Sequence, residues 1–427
     1  MSFPRYESYK DSGVEWLGEV PEHWEIASLS RLFSIKAGGD VKTEFFSEFQ
    51  TENHPYPIYT NANNENAVYG YTSKCNYSPN TITVSGRGEV GFAVYRDHPY
   101  DAIIRLLVLS PFGTGNCKFF SYFINVVINF SVQSSAIGQL STQQISPYKV
   151  AFPSFEEQQS ITNFLDCETV KIDALIAEQQ RLIELLKEKR QSVISHAVTK
   201  GLNPNAPMKD SGIECLGKVP EHWEVCAIKR MTLLITDGAH ISPETGGGVY
   251  DFISTKDISD KGIDFEGCLK TTSSSYEYLV RTGCQPICGD ILFSKDGTIG
   301  RTVVIKEQRD FVVASSLIII RPDSDILDSS YFNYLCQSSI VVQQVEGFVK
   351  GAGLPRLSIQ NLLKVFGVFP SFVEQHSIVT FLDNETAKLD TLTTEAKTAI
   401  TLLQERRTAL ISATVTGKID VRGAGLS

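Results

Sequence analysis

A block of residues near the start of the chain returns almost unchanged 199 positions later. Lys10-Asp-Ser-Gly-Val-Glu-Trp-Leu-Gly-Glu-Val-Pro-Glu-His-Trp-Glu25 becomes Lys209-Asp-Ser-Gly-Ile-Glu-Cys-Leu-Gly-Lys-Val-Pro-Glu-His-Trp-Glu224, identical at 13 of 16 positions. A second match runs from Leu140-Ser-Thr-Gln through Phe152-Pro-Ser-Phe-Glu-Glu-Gln158 and Phe164-Leu-Asp166 to Thr199. It returns at an offset of 217 as Leu357-Ser-Ile-Gln, Phe369-Pro-Ser-Phe-Val-Glu-Gln375 and Phe381-Leu-Asp383, ending at Thr416. A repeat on this scale fixes architecture before any motif is considered. The offsets differ by 18, so the material between the matched blocks is longer in the second half by that amount. The two halves share a frame and differ in what the frame holds.

The repeated runs after Pro153 and Pro370 read as long helices. Leu165, Ile172, Leu186 and Val193 fall on one heptad row interrupted by Gln179, with Leu175 and Leu182 on the neighbouring row. Leu382, Leu389, Leu403 and Leu410 repeat the row, interrupted by Ala396, with Leu392 and Ala399 alongside. No Pro or Gly intervenes before Gly201 and Gly417, which suit helix ends. Each run predicts a helix of roughly 40 residues, about 60 Å long. A helix of that length with a single apolar seam needs a partner, and the other copy is the obvious one. Antiparallel pairing follows if the intervening domains sit at opposite ends, related by a pseudo-two-fold axis.

Residues 25–139 and 224–356 show no comparable identity, yet both carry a glycine-punctuated apolar pattern. These are Thr81-Ile-Thr-Val-Ser-Gly-Arg-Gly-Glu-Val-Gly-Phe-Ala-Val-Tyr95 and Ile291-Leu-Phe-Ser-Lys-Asp-Gly-Thr-Ile-Gly-Arg-Thr-Val-Val-Ile305. Short apolar runs at 103–109, 311–320 and 365–369, broken by Gly, Asn and Asp, predict strands. Small helices are expected near 119–131 and 329–345. Each segment reads as an α+β domain with a strongly bent sheet. At 427 residues the chain is about three times a typical domain, in keeping with several cores.

Two variable domains alternating with two repeated long-helix regions resemble the specificity subunits of type I restriction-modification enzymes. The resemblance covers essentially the whole chain. It rests on Gly-Xaa-Val-Pro-Glu-His-Trp at 18–24 and 217–223, on Phe-Pro-Ser-Phe-(Glu/Val)-Glu-Gln at 152–158 and 369–375, and on Gly-Asp-Ile-Leu-Phe-Ser at 289–294. Ser154 and Ser371 stand where that family usually has a second proline. The implied organisation is a frame segment at 1–24, a target-recognition domain at 25–150 and a central long helix at 151–208. A frame linker at 209–223, a second target-recognition domain at 224–368 and a C-terminal long helix at 369–427 complete it. The implied fold is α+β, two recognition domains alternating with two helices that pair as an antiparallel coiled coil. Each domain is then expected to read one half of an asymmetric bipartite site in double-stranded DNA. The helices would set the spacer and hold two methyltransferase subunits and the restriction/translocase subunits. This chain would bind no cofactor and no metal of its own; S-adenosylmethionine, ATP and magnesium would belong to its partners.

Phosphate contacts require Lys and Arg. The net charge is −10, and the variable segments hold nine cations against nine anions in 25–150 and 14 against 17 in 224–369. A DNA-binding face must therefore come from clustering in three dimensions or from partners. Arg87, Lys295 and Arg301, in the glycine turns, are the preferred contacts. Asn61 and Asn63 could read bases, as could the polar stretch around Lys256; Lys36, Lys350 and Arg356 are further candidates. The bland alternatives are solvated loop charges and plain Asn turns. The glycine turns precede strand-like residues rather than a helix, so hairpins fit better than phosphate cradles. Glu22-His23-Trp24 and Glu221-His222-Trp223 could pass for catalytic pairs, but two copies within a frame suit packing of the Trp against the helix base.

No chemistry is legible in the chain. Gly217-Lys218 and Gly417-Lys418 are followed by Val and Ile, not Ser or Thr, and no Pro-Pro exists for an amino-methyltransferase motif. The one Pro-Asp, Pro322-Asp323, meets its next Glu-Xaa-Lys only at Glu395-Ala396-Lys397, within a helix. Methylation and cleavage are expected from partners that this chain directs. Cys284 and Cys288 lack the further ligands of a metal site. The nine scattered cysteines, the lack of an apolar membrane-spanning run and the absence of a secretory signal core predict a cytoplasmic protein. A coiled-coil scaffold holding proteins rather than DNA is the rival reading, mildly favoured by the acidic balance; a self-sufficient enzyme is the third.

Overall fold

In the computed structural model, which describes residues 3–61, 67–130, 139–244, 247–259, 262–349 and 355–423, the chain divides into two units. The first comprises residues 1–180 and 398–427, the second residues 181–397. Each unit therefore holds one variable domain with part of both long helices.

The frame builds the same base in each. In the first unit Tyr9–Asp11 pairs antiparallel with Glu19–Pro21, and Glu25–Ser28 with Lys149–Phe152. In the second, Met208–Asp210 pairs with Lys218–Pro220, and Glu224–Ala227 with Phe366–Phe369. The latter pairing in each unit brings the Glu-His-Trp motif beside Phe-Pro-Ser-Phe-Xaa-Glu-Gln. Glu157 lies 2.9 Å from His23 Nε2 and accepts from the Trp24 indole at 3.2 Å and the Tyr6 hydroxyl at 2.7 Å. Glu374 lies 2.9 Å from His222 and accepts from the Trp223 indole at 3.1 Å. Trp24 and Trp223 are both buried in the principal cores of their units. The His-carboxylate pairs are joints of the frame.

Each variable domain is built on a four-stranded antiparallel sheet. In the first unit β1 (Phe33–Ala37), β2 (Thr81–Ser85), β3 (Ala93–Arg96) and β4 (Leu106–Pro111) lie in the order β1-β4-β2-β3. In the second, β5 (Thr232–Asp237), β6 (Ile291–Ser294), β7 (Thr302–Val304) and β8 (Leu317–Pro322) lie in the order β5-β8-β6-β7, the same topology. The central strands are apolar at consecutive positions because both their faces are covered. Leu107 and Leu109 face the core that holds helix α1 (Cys117–Val127), while Leu106 and Val108 pack on Tyr59, Tyr100 and Ala102. Ile318 and Ile320 likewise face helix α3 (Ser329–Gln337), with Leu317 and Ile319 on the opposite side.

That opposite side belongs to a second sheet, so the strands that the patterning assigned to one bent sheet divide between separate sheets. Each second sheet contains one parallel pair, Asp101–Ala102 with Tyr56–Tyr59 and Phe311–Val313 with Tyr250–Ile253. The junction passes through a glycine. A Cβ on Gly38 would lie inside the carbonyl oxygens of Ala102 and Ile103, and one on Gly238 inside those of Val313 and Ala314.

Helix α2 (Phe155–Lys200, 46 residues) and helix α4 (Phe372–Val415, 44 residues) fulfil the long-helix expectation. In the first unit Ile161 and Leu165 of α2 share a core with Ile411 and Val415 of α4, and Arg407 forks onto Asp173 at 2.9 and 3.2 Å. In the second, Ile194 and Val198 share a core with Ile378 and Leu382, and Arg190 meets Asp390 at 3.4 Å. The start of one helix meets the end of the other in each unit, so the pairing is antiparallel. The offset of 217 carries Asp173 to Asp390 and Arg190 to Arg407, making the two ion pairs copies of each other.

Leu165, Ile172, Leu186 and Leu382 are buried on the seam, and Val193, Leu389, Leu403 and Leu410 are half-buried. Leu175, Leu182 and Leu392 are exposed at 41–47 %, so the neighbouring row contributes little to the seam. A two-helix pair covers one stripe on each partner, and this row falls beyond it. No helix among the described residues is long and apolar enough to cross a membrane.

Alanine at Gly38 or Gly238 forces backbone apart at the sheet junction, at a cost of about 1–3 kcal/mol. Each variant is expected to melt several degrees lower than the parent when followed by circular dichroism; an unchanged melt would show that the junction can spread.

Candidate nucleic-acid interface

The glycine turns singled out in the sequence are hairpin tips, joining β2 to β3 and β6 to β7. Ser85 Oγ accepts from the Phe92 amide at 3.0 Å and donates to the Glu89 carbonyl; Ser294 Oγ accepts from the Arg301 amide at 2.9 Å and donates to that of Thr298. Gly88 and Gly91 at φ +80° and +92°, and Gly297 and Gly300 at +69° and +88°, supply conformations that side-chain-bearing residues rarely adopt.

Each tip is held by two equivalent segments of chain, and the first by Asn61 as well. The Gly86 amide donates to the Arg105 carbonyl at 3.1 Å and to Asn61 Oδ1 at 2.8 Å, and the Leu140 amide donates to the Gly86 carbonyl at 2.8 Å. In the second unit the Lys295 amide donates to the Ser316 carbonyl and the Leu357 amide to the Lys295 carbonyl, both at 3.0 Å. Isolated antiparallel bridges join Arg87 to Gln139 and Asp296 to Arg356.

The side chains on this shared scaffold differ. The first unit presents Arg87 and Arg105, both exposed, the latter at φ +79°. Equivalent positions in the second carry Asp296 and Ser316, and the cations lie elsewhere. Arg356 takes the place of Gln139 and pairs with Asp296 at 2.9 Å. Lys256 is exposed beside Thr255, whose amide and hydroxyl bond Ser316 at 3.1 Å. Exposed arginine can fork onto phosphate or guanine, while serine and aspartate address different edges of a base pair.

Comparison with known proteins matches residues 21–187 and 220–402 to the type I restriction modification DNA specificity domain. The chain belongs to that family. It is 32 % identical over 163 residues to S.MpnORF507P of Mycoplasma pneumoniae, which bears the name of a type I specificity subunit, covering 38 % of this chain and 44 % of that protein. It is 21 % identical over 304 residues to the type I restriction enzyme EcoBI specificity subunit of Escherichia coli, covering 69 % of this chain and 63 % of that one. The chain thus spans about half to two thirds of these relatives' length. A solved chain from work on complex assembly and conformational transition of the type I R-M system superposes with a TM-score of 0.67 at 12 % identity. That alignment covers 93 % of this chain and 98 % of the other, and it shows a shared fold.

Within this specificity family member the expected DNA contacts have several different surroundings. Arg87 sits at the first tip, Lys36 is exposed on edge strand β1, Lys256 is exposed, and Arg356 is 55 % exposed in its side chain. Asn61 buttresses the tip rather than extending from it, its Nδ2 donating to the Ile104 carbonyl at 3.4 Å. Lys295 is not presented to solvent: its side chain is 5 % exposed and pairs with Asp237, which also lies 3.1 Å from His240. A lysine among strand residues is drawn inward when a carboxylate waits there, and no local pattern announces Asp237 as that partner. Arg301 is half-buried and donates to the Ile258 carbonyl at 2.8 Å. Asn63 and Lys350 lie outside the described residues. Arg105 was not among the sequence candidates; its signal, an arginine ahead of an apolar strand, is too common to notice. All nine cysteines are free thiols.

The repeated motifs also fasten each variable domain to its long helix. Gln158 Oε1 accepts from the backbone amide of Asn116, the N-cap of α1, at 3.0 Å, and its Nε2 donates to the Pro153 carbonyl at 2.9 Å. Gln375 accepts from the amide of Asp328, the N-cap of α3, at 2.8 Å, and donates to the carbonyls of Ile326 at 2.9 Å and Pro370 at 3.0 Å. Farther along, Asp166 accepts from Tyr122 at 2.8 Å and Lys118 at 2.6 Å, and Asp383 from Tyr334 at 2.7 Å. Burial first, then the hydrogen bond to Asp383 and its charge, push the Tyr334 hydroxyl up to about 12 against the opposing Thr386 bond, so it remains a donor.

Removing the Lys295 cation leaves Asp237 without its ammonium partner. Lys295→Met is expected to cost on the order of 3 kcal/mol and to lower the melting temperature, whereas Lys256→Ala should stay within about 0.5 kcal/mol of the parent. Equal melts for the two would remove Lys295 from the structural core.

Proposed function

We propose that this chain is the sequence reader of a type I restriction-modification complex. Each variable domain reads one half of an asymmetric bipartite site in double-stranded DNA, and the paired helices set the unread spacer. The chain is non-catalytic. It holds two methyltransferase subunits and the restriction/translocase subunits, which bring S-adenosylmethionine, ATP and magnesium and carry out adenine methylation and cleavage. The observation that carries this reading is the pair of tips: one scaffold, held by equivalent backbone bonds, offering Arg87, Arg105 and Gln139 in one unit and Asp296, Ser316 and Arg356 in the other. A shared fold carrying different donors and acceptors suits two different half-sites, since base edges are distinguished by those groups.

Single-molecule methylome sequencing of the source cell with and without this gene tests the reading. Loss of methylated adenine at one bipartite, asymmetric motif is the expected result. An unchanged methylome, with partner subunits shown to be expressed, would favour a coiled-coil scaffold for proteins.

Arg87→Ala and Arg105→Ala, in the complex with its modification subunits, are each expected to weaken DNA binding. A lost phosphate contact flattens the slope of log affinity against log salt by about one, and a lost base contact relaxes one position of one half-site by about 1–3 kcal/mol. Unaltered affinity and sequence preference in both variants would move the interface away from the tip.

A further inference from the structure

We infer that Gln158 and Gln375 are positioning residues that determine how sharply the complex discriminates spacer length. The inference rests on the ruler role proposed for the helices. A ruler is only as accurate as its joints. Successive base pairs rise about 3.4 Å along the DNA axis, so rejecting a spacer wrong by one base pair requires slack at each joint well under that distance.

The two glutamines sit where such slack would arise. Both are buried, Gln375 completely. Each grips the residue that starts the variable domain's own helix through its backbone amide, at 3.0 and 2.8 Å. Each also returns its NH2 to the carbonyl of the proline that opens the long helix, Pro153 or Pro370, at 2.9 and 3.0 Å. A side-chain amide takes an N–H and gives an N–H at once from one planar group, which neither a carboxylate nor a thioether can do. Glutamate would set a carboxylate against the proline carbonyl, and methionine would leave both backbone groups without this partner. A second fastening, Asp166 to Tyr122 or Asp383 to Tyr334, lies eight residues farther along the long helix, about 12 Å away. Two fastenings at that separation oppose both sliding and pivoting. The Glu157 and Glu374 clamps do not serve this purpose, because they hold the frame hairpin rather than the helix of the variable domain. Neither glutamine touches the hairpin tips, so changing it alters geometry while leaving the base-reading side chains in place.

The experiment uses the full chain assembled with its methyltransferase subunits, acting on a DNA library with both half-sites constant and the spacer varied base pair by base pair. Gln158→Glu, Gln158→Met, Gln375→Glu and Gln375→Met are expected to raise methylation of spacers one base pair from the optimum by about fivefold relative to the optimum, the weight of one buried hydrogen bond. Half-site base preferences should stay those of the parent. Parental spacer discrimination in a variant that assembles and keeps its half-site preferences overturns the inference. The glutamate variants preserve size and one acceptor, and supply the readout if the methionine variants do not assemble. A parent shortened by four residues in both long helices is run alongside. A shift in its preferred spacer upholds the ruler, so that unbroadened glutamine variants then refute the joint alone; no shift refutes the ruler itself.

Discussion

A carboxylate at the foot of the long helix organises each half of this protein. Glu157 is withdrawn from water, and an ion in that position is stable only when its lone pairs are taken up. His23, Trp24 and Tyr6 do this, and in doing so tie the start of the frame, its hairpin and the long helix to one point. Glu374 does the same with two partners, because Asn205 stands where the repeat would place a tyrosine; its side chain is correspondingly more exposed, 30 % against 8 %. From this point the strands Glu25–Ser28 and Glu224–Ala227 leave in a defined direction, and the four-stranded sheets follow from them.

The frame was legible in the sequence because its residues bond to each other. Glu-His-Trp and Phe-Pro-Ser-Phe-Xaa-Glu-Gln lie more than a hundred residues apart in each half, and both recur because one is the partner of the other. The heptad row of the helices was legible for a similar reason, since Leu165, Ile172, Leu186 and Leu382 on it are buried. The leucines of the adjacent row are exposed. Leu175, Leu182 and Leu392 satisfy the same spacing, and period alone cannot say how wide a stripe the partner covers.

The candidate interface was legible in its backbone and much less so in its side chains. Glycines at positive φ announced the hairpin tips, because few other residues adopt that conformation. Which cations would stand free was a question about neighbours distant in sequence. Lys295 looks as open as Arg87 until Asp237, 58 residues earlier, takes its charge. Asn61 resembles a base reader until its amide is found bracing Gly86 and Ile104. Arg105 had no motif at all. The junction at Gly38 and Gly238 was equally silent, since a glycine demanded by close approach reads like any loop glycine.

The division of the chain also sets an order of assembly. The second unit, residues 181–397, is one continuous stretch, whereas the core of the first contains Ile411, Val415 and Val421 alongside Trp24 and Leu165. A ribosome delivers residues 1–180 early, but they wait for more than two hundred further residues before their missing helix arrives, on the order of ten seconds or more at ordinary elongation rates. The last residues of the first unit are therefore made only after the whole of the second. Until then the apolar face that Ile411 and Val415 cover in the folded unit lacks those partners, and exposed apolar surface of that kind is prone to aggregate.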